Sequence, residues 1–424
     1  MKLTVIGGGS TYTPELVDGF ARLRDVLPLT ELSLVDPDAH RLGLVAGMSR
    51  RMFDHAGYDV AVTATCDTER GVADADAVLF QLRVGYQAAR QGDETFPHSC
   101  GVLGQETTGP GGLAKALRSV PVVLDLADTV RRHAKPDAWM VDFTNPTGIV
   151  TRALLEAGHR AVGLCNVAIG FRRRFAALLD VDWQRVELDH VGLNHLTWER
   201  GVLVDGVDVL PELLQERGEE LADVTGMPLD LLRLQRAVPS YYLKYFYAHD
   251  EILAEQLAEG SMTRAQAVTE IEDALLAKYA DPAQRVKPTE LEKRGGAFYS
   301  EAAVDLLASL TADRRDVQVV NVRNDGVLPF LPDDHVIEVP ARIGKNGIST
   351  EDSLARRPLD EDQVALISHV AAYERLALDA AVHGGRDRVV RALLAHPMVG
   401  QWDKAQRLAD RLIAVNREHL PWAS

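Results

Sequence analysis

The segment that most constrains this chain lies at its start. Residues Lys2 to Ile6 form a short apolar run of strand character, Gly7-Gly8-Gly9-Ser10 follows at once, and a helical pattern runs from about Pro14 to Leu27. A strand, a glycine-rich turn and a helix in that order suit a pyrophosphate. Small residues let the backbone approach the phosphates, and the helix N-terminus offers N–H donors and a favourable dipole. Tyr12 stands where the usual fingerprint carries its third glycine, and a tight strand–helix connection alone would also explain the turn. Asp36 weighs for the nucleotide. It ends a second strand pattern, Glu31 to Val35, where a carboxylate accepts hydrogen bonds from ribose hydroxyls and favours NAD over NADP. Gly7, Gly9, Ser10, Thr11 and Asp36 are the expected cofactor contacts.

Further strand patterns at Ala77 to Leu82 and Ala138 to Phe143, each preceded by a helix-like segment, extend the alternation. Alternating strand and helix implies a parallel, doubly wound sheet. Beyond about residue 165 the pattern changes. Leu196 to Leu210 holds two β-rich runs around Asp205-Gly206, a hairpin signal. Asp316 to Val322 and His335 to Pro340 read as strands separated by the turn Asn324-Asp325-Gly326. Helical patterns cover about Thr263 to Tyr279, Glu361 to Val382 and the C-terminal region. The expected fold is α/β, a Rossmann-like sheet over residues 1–165 followed by a mixed α+β part over 166–424, with the architecture of a lactate or malate dehydrogenase.

Composition removes several function classes. With 46 basic against 62 acidic residues the net charge is -16, which disfavours nucleic acid or an anionic membrane as a partner. No run is long enough to span a bilayer. Cys66, Cys100 and Cys165 are too few and odd in number for a disulfide framework. Met1-Lys2 leads straight into the first strand without a secretory pattern, so a cytoplasmic protein with reduced thiols is expected.

Cys165 lies in Gly163-Leu164-Cys165-Asn166 and His195 in Gly192-Leu193-Asn194-His195. Thiol and imidazole are soft-to-borderline metal ligands, and two ligands leave positions open for substrate. A buried free cysteine and a hydrogen-bonded histidine explain the same residues without a metal. Arg83 and Arg90 fall on a loop after a strand, suited to an anionic or hydroxyl-rich substrate or simply to solvent. Asn145, in Thr144-Asn145-Pro146, sits just past a strand, as a ligand contact or a turn former. Glu106 belongs to the glycine- and threonine-rich run Gly104 to Gly112 and could tune a catalytic group. Tyr241, Tyr242, Tyr245 and Tyr247 crowd a helical pattern after Pro239, a packing stripe or the source of a base.

Assembled, these motifs resemble the NAD- and metal-dependent glycosidases of glycoside hydrolase family 4, especially the 6-phospho-β-glucosidases. The resemblance rests on Val5 to Ser10 with Tyr12 to Leu16, Gly104 to Gly109, Thr144 to Pro146, Gly163 to Val167, Gly192 to Leu196 and Lys293-Arg294-Gly295-Gly296. It implies Cys165 and His195 as ligands of a divalent ion, most often Mn²⁺, and Tyr242 as the base, with Tyr241 one position out of register. It implies Glu106 as the residue that raises the tyrosine's basicity, and Arg90, Asn145, Asn166 and Arg264 as substrate contacts. Asn166 follows the β-specific pattern, since α-specific relatives carry Asp there, while Ala168 departs from the Pro usual beside the metal ligand. The implied reaction is oxidation at sugar C3, removal of the C2 proton, loss of the aglycone from C1, water addition and re-reduction. Such chemistry needs no pair of acid and base carboxylates. The implied substrate is a phosphorylated glycoside, and a homodimer or homotetramer is expected by analogy.

Two other classes compete. A lactate/malate-type dehydrogenase of 2-hydroxy acids would use Arg83, Arg90 and Asp93 but no cysteine ligand. A non-enzymatic nucleotide-sensing regulator would need the glycine turn but not Cys165, His195 and Tyr242 together.

Overall fold

Parallel strands buried on both faces read as near-continuous apolar runs, and most of the strands of the first 165 residues do so. In the computed structural model, which describes residues 1–296, 298–351 and 358–423, these are β1 (Lys2–Ile6), β2 (Glu31–Val35), β3 (Ala61–Thr65), β4 (Ala77–Phe80), β5 (Trp139–Asp142) and β6 (Ala161–Gly163). They pair in parallel in the order β3-β2-β1-β4-β5-β6, with helices in the crossovers, among them Thr13–Arg22 and Gly109–His133. This is the doubly wound order expected of a dinucleotide fold.

The sheet does not stop at β6. The later strands are β7 (Val186–Leu193), β8 (Leu196–Val204), β9 (Val207–Asp208), β10 (Val238–Pro239), β11 (Val317–Arg323), β12 (Val336–Gly344) and β13 (Gly347–Ser349). Beyond β6 the order runs on as β11-β12-β7-β8-β10, antiparallel throughout, with β9 on β8 and β13 on β12. At this seam the register aligns Gly163 with Asn321, Asn321 with Glu338, Glu338 with Gly192 and Gly192 with Thr197. Cys165 and Asn194 each lie two residues beyond their glycine in that row. Strand pairing thus brings together motifs about thirty residues apart, from either side of the β11–β12 hairpin.

Several elements differ from the sequence expectation. The first helix ends at Arg22, because Pro28 disfavours helical backbone at Leu27 and the chain turns between. β3, β6 and β7 carry no long apolar signature: β3 is a largely exposed edge and β6 has three residues. The hairpin around Asp205-Gly206 exists, but β9 is only two residues long. The main partner of β8 is β7, and Asn194 and His195 form the two-residue turn between them. Tyr241–Leu243 is a 3₁₀ turn and only Lys244–Tyr247 is helical, because Ser240 caps the turn by accepting from the Tyr242 N–H. The helices Arg264–Ala280 and Glu361–His383 lie within a residue of expectation, the latter packed on Gly109–His133. Among the described residues no helix is long and apolar enough to cross a membrane.

Candidate active site

A cavity of about 790 Å³ opens along the carboxyl ends of the parallel strands and runs from Gly7, Ser10 and Asp36 to His195 and Tyr242. At its first end the Gly9 N–H donates to Asp36 Oδ2 at 3.0 Å. A Cβ on Gly9 would stand 2.7 Å from the Asp36 carboxyl carbon, so only glycine permits this approach. Burial lifts the Asp36 carboxyl above its ordinary range, against the pull of N–H donors from Asp38 and Gly9. Thr11 stands behind the wall. Its hydroxyl accepts from Arg294 Nε at 2.7 Å and lies 3.2 Å from Glu272 Oε1. Glu272 also takes Arg41, Arg294 and Gln87, which ties the turn to the helix Arg264–Ala280. The donors and the open room beside Ser10 fit a dinucleotide, with Asp36 at the ribose end.

The middle of the cavity is cationic. Glu106 is ion-paired with Arg83, with Arg90 at 3.2 Å and with Lys115 at 2.6 Å. Burial would raise its carboxyl, but Arg83, Lys115 and Arg90 together hold it well below the usual range. Burial and Arg83 in turn bring the Lys115 ammonium down to about 7 against the attraction of Glu106. Arg90 also bonds Glu94 at 2.7 Å. Arg83 and Arg90 are therefore cavity wall rather than solvated surface, and Arg90 lies not on the expected loop but in the helix Tyr86–Thr95. Asn145 Oδ1, in the same wall, is buried and has no hydrogen-bond partner among the described residues. Asn166 also lines the cavity. Arg264 sits in the first turn of its helix, fixed by the Thr263/Gln266 capping box, and donates to the carbonyls of Lys293 and Arg294 at 2.8 and 3.0 Å.

Cys165 and His195 lie at the far end, each beside Tyr242. The Val167 N–H and the Asn194 and Tyr299 side chains neighbour the Cys165 thiol and favour its charged form, while burial and the Glu338 charge push the thiol up. Burial brings the His195 imidazole down to about 4, so it is neutral near pH 7 and keeps a lone pair. Which nitrogen carries that lone pair follows from the Gly104–Gly109 loop. Gln105 Oε1 accepts from the backbone N–H of Thr107 and Thr108, so it is the oxygen, and it also takes the Thr107 hydroxyl proton at 2.8 Å. The Thr107 oxygen, 3.0 Å from His195 Nδ1, is left to accept the Nδ1–H, and Nε2 keeps the lone pair. Tyr242 lies flat against His195, ring centroids 3.6 Å apart and planes 6° from parallel. Burial, with Tyr241 and Cys165 beside it, raises the Tyr242 hydroxyl well above its ordinary value. Among the described residues no group of three or more His, Cys, Asp or Glu side chains is placed to hold a metal. A thiol and a neutral imidazole with an open side suit a divalent ion that completes its shell from a ligand.

Of the residues expected from sequence, Gly7, Ser10, Asp36, Arg90, Glu106, Asn145, Asn166, His195, Tyr242 and Arg264 line one cavity, with Tyr241 beside them. Gly9, Thr11 and Cys165 back it. The Glu106 carboxylate is engaged by cations. Tyr247 lies away from the cavity, half-exposed and bonded to Gln235. Sequence reasoning missed Lys115, Glu272, Tyr299 and Glu338. Only Glu338 had a signal, a carboxylate inside the apolar run Val336 to Ala341, where an unpaired charge would be costly.

The model of the family described as "Family 4 glycosyl hydrolase" matches residues 2–181, and that of its C-terminal domain residues 190–399. The chain is 38% identical to a "probable 6-phospho-beta-glucosidase" of Bacillus subtilis, over 99% of this chain and 97% of that one. Among solved structures, the 6-phospho-beta glucosidase from Thermotoga maritima, determined with manganese, NAD+ and glucose-6-phosphate, superposes with a TM-score of 0.91 at 33% identity, covering 99% of each chain. Malate dehydrogenase from Salinibacter ruber shares the fold alone, at TM-score 0.54 and 20% identity over 91% of this chain and 99% of that one.

Proposed function

The chain belongs to the family 4 glycosyl hydrolases, and from that membership we propose that it hydrolyses 6-phospho-β-glucosides, or closely related β-glycosides, with NAD⁺ and Mn²⁺ bound. The observation that carries this reading is one cavity joining a dinucleotide turn to a Cys165–His195–Tyr242 corner. We further propose that residues 1–165 bind the dinucleotide and 166–424 complete the site and the assembly contacts of a cytoplasmic homodimer or homotetramer.

Bound NAD⁺ supplies a hydride acceptor and later a donor for sugar C3, and bound Mn²⁺ supplies a Lewis acid for the neighbouring sugar oxygens. Asp36 would receive the ribose hydroxyls, and the Gly7–Ser10 turn the pyrophosphate. Cys165 and His195 Nε2 would hold the metal. Asn145 Oδ1, unpartnered among the described residues, would accept a sugar hydroxyl, and Asn166 would bind beside it. Arg90 and Arg264 would receive the phosphate. Tyr242 would take the proton from C2. As an isolated buried phenol it is a poor base, so it needs a positive charge near its oxygen, and the corner it stacks on is where a cation would sit. Glu106 would tune Tyr242 through the field of the shared cavity. With hydride taken and returned, the reaction is a retaining-type hydrolysis without net redox change.

The test compares 4-nitrophenyl β-glucoside 6-phosphate with its unphosphorylated form, each with and without NAD⁺ and Mn²⁺. Nitrophenol release only from the phosphorylated substrate with both added groups is expected. Equal turnover without either group overturns the reading.

A further inference from the structure

Behind the Cys165–His195 corner lies a buried ionic triad that the reaction does not use. His190 Nδ1 is 2.7 Å from Glu199 Oε1, and His190 Nε2 is 3.1 Å from Glu338 Oε1. All three side chains are almost entirely shielded from solvent. Glu338 Oε2 accepts from Asn194 Nδ2 at 2.7 Å and from Asn321 Nδ2 at 2.9 Å. Asn194 in turn neighbours the Cys165 thiol, whose charged form it favours. The triad thus ends on the side chain that touches the metal-binding thiol and is next in sequence to His195.

Two carboxylates and one imidazole share one extra proton. Each ring nitrogen faces a carboxylate oxygen, so both donate, His190 is an imidazolium, and the three groups together carry a single negative charge. Burying such a charge is costly without a cation opposite. The other charges that reach His195, Lys115 and Glu106, belong to the cluster with Arg83 and Arg90 in the middle of the cavity, and among the described residues none of its cations is ion-paired with Glu338. A glutamine at 338 could still tie β12 to Asn194 and Asn321 through hydrogen bonds without that cost. A carboxylate is explained by a positive charge that arrives at the corner. A divalent ion on the Cys165 thiolate keeps one positive charge, which the triad's single negative charge matches.

Resting on the metal corner proposed above, we infer that Glu338 is its buried counter-charge and a positioning residue: it sets the affinity for the divalent ion and orients Asn194 onto Cys165, with His190 and Glu199 holding it in place. Outer-shell partners of this kind typically change metal affinity by about 10- to 100-fold when altered.

The test titrates the metal-stripped full chain with Mn²⁺ and follows free Mn²⁺ by electron paramagnetic resonance. NADH fluorescence titration and thermal melting serve as controls for the fold. Glu338→Gln is expected to weaken Mn²⁺ binding about 10- to 100-fold with NADH affinity unchanged. Glu338→Asp, which restores the charge, is expected to recover part of the loss. Glu199→Gln removes a charge from the triad without touching Asn194 or Asn321, and is expected to weaken Mn²⁺ by up to about 10-fold. Should Glu338→Gln fail to fold, this variant carries the test. Wild-type affinity in Glu338→Gln overturns the inference. A loss there with full affinity in Glu199→Gln also overturns it, since only a structural tether would then remain. A wild-type chain that binds no Mn²⁺ overturns the metal corner itself, whereas binding without sensitivity to either variant leaves the corner standing and removes only the counter-charge.

Discussion

The two ends of the cavity are built by opposite means. The cofactor end comes from one stretch of about thirty-five residues: β1, its turn, a helix and β2, with Asp36 accepting the Gly9 N–H. Its chemistry is main-chain donors and one carboxylate. The proposed metal end comes from four strands distant in sequence, aligned by the row Gly163, Asn321, Glu338 and Gly192. Its chemistry is side chains held by other side chains: Gln105 fixes Thr107, Thr107 fixes His195, and Glu338 fixes Asn194. A local site tolerates change in the rest of the fold. A seam site depends on strand register and on buried charge.

The largest expected effect sharpens what the metal end contributes. Tyr242→Phe removes the proposed base while leaving the stack on His195, so kcat should fall about 10²- to 10⁴-fold with Mn²⁺ and NAD⁺ binding retained. Steady-state kinetics and direct titration of each ligand check this together. Next comes the dependence on register. Gly192 has φ of 146° and a Cβ there would stand 2.1 Å from the Leu196 carbonyl oxygen. Gly192→Ala is expected to cost about 3 kcal/mol or more in urea unfolding. Gly9→Ala, by contrast, should displace the Asp36 side chain and weaken NAD⁺ with a smaller stability loss. Equal stability losses would break the contrast.

A smaller effect separates cofactor choice from metal binding. Asp36→Ala is expected to weaken NAD⁺ by about tenfold or somewhat more, narrow its preference over NADP⁺, and leave Mn²⁺ affinity unchanged. The smallest concerns pH. Burial opposes the His190 imidazolium, but Glu199 and Glu338 raise it from 6.5 to about 10. Its contribution to stability is therefore fully present below 6.5 and lost as pH rises toward about 10, with a slope of at most about 1.4 kcal/mol per unit. Urea melts between pH 6 and 10 should show this alkaline loss, and His190→Gln should flatten it.

This difference in construction also decides what could be read in the chain. The cofactor end was legible because its residues are neighbours: the apolar run, the glycines and Asp36 all fall within one repeat of strand and helix. Cys165 and His195 were legible as residue types in glycine-flanked motifs, and the family resemblance placed them together. Their surroundings were not. Nothing local links Glu338 to Asn194, because the link is a strand register set by pairing across the sheet. β7 escaped notice since its run, Val-Glu-Leu-Asp-His-Val-Gly-Leu, is broken by the buried polar residues Asp189 and His190. Lys115 and Arg83 could not be assigned to Glu106, since an ion pair across a cavity leaves no trace in spacing.

Joining both ends of the cavity in one reaction makes a single demand on the product. Hydrolysis of 4-nitrophenyl β-glucoside 6-phosphate in D₂O, with NAD⁺ and Mn²⁺ present, should give glucose 6-phosphate carrying deuterium at C2, seen by NMR or mass spectrometry. Tyr242→Phe should give neither appreciable release nor exchange. Product released by the native chain with C2 fully protiated would contradict proton removal by Tyr242 and the oxidation at C3 that makes it possible.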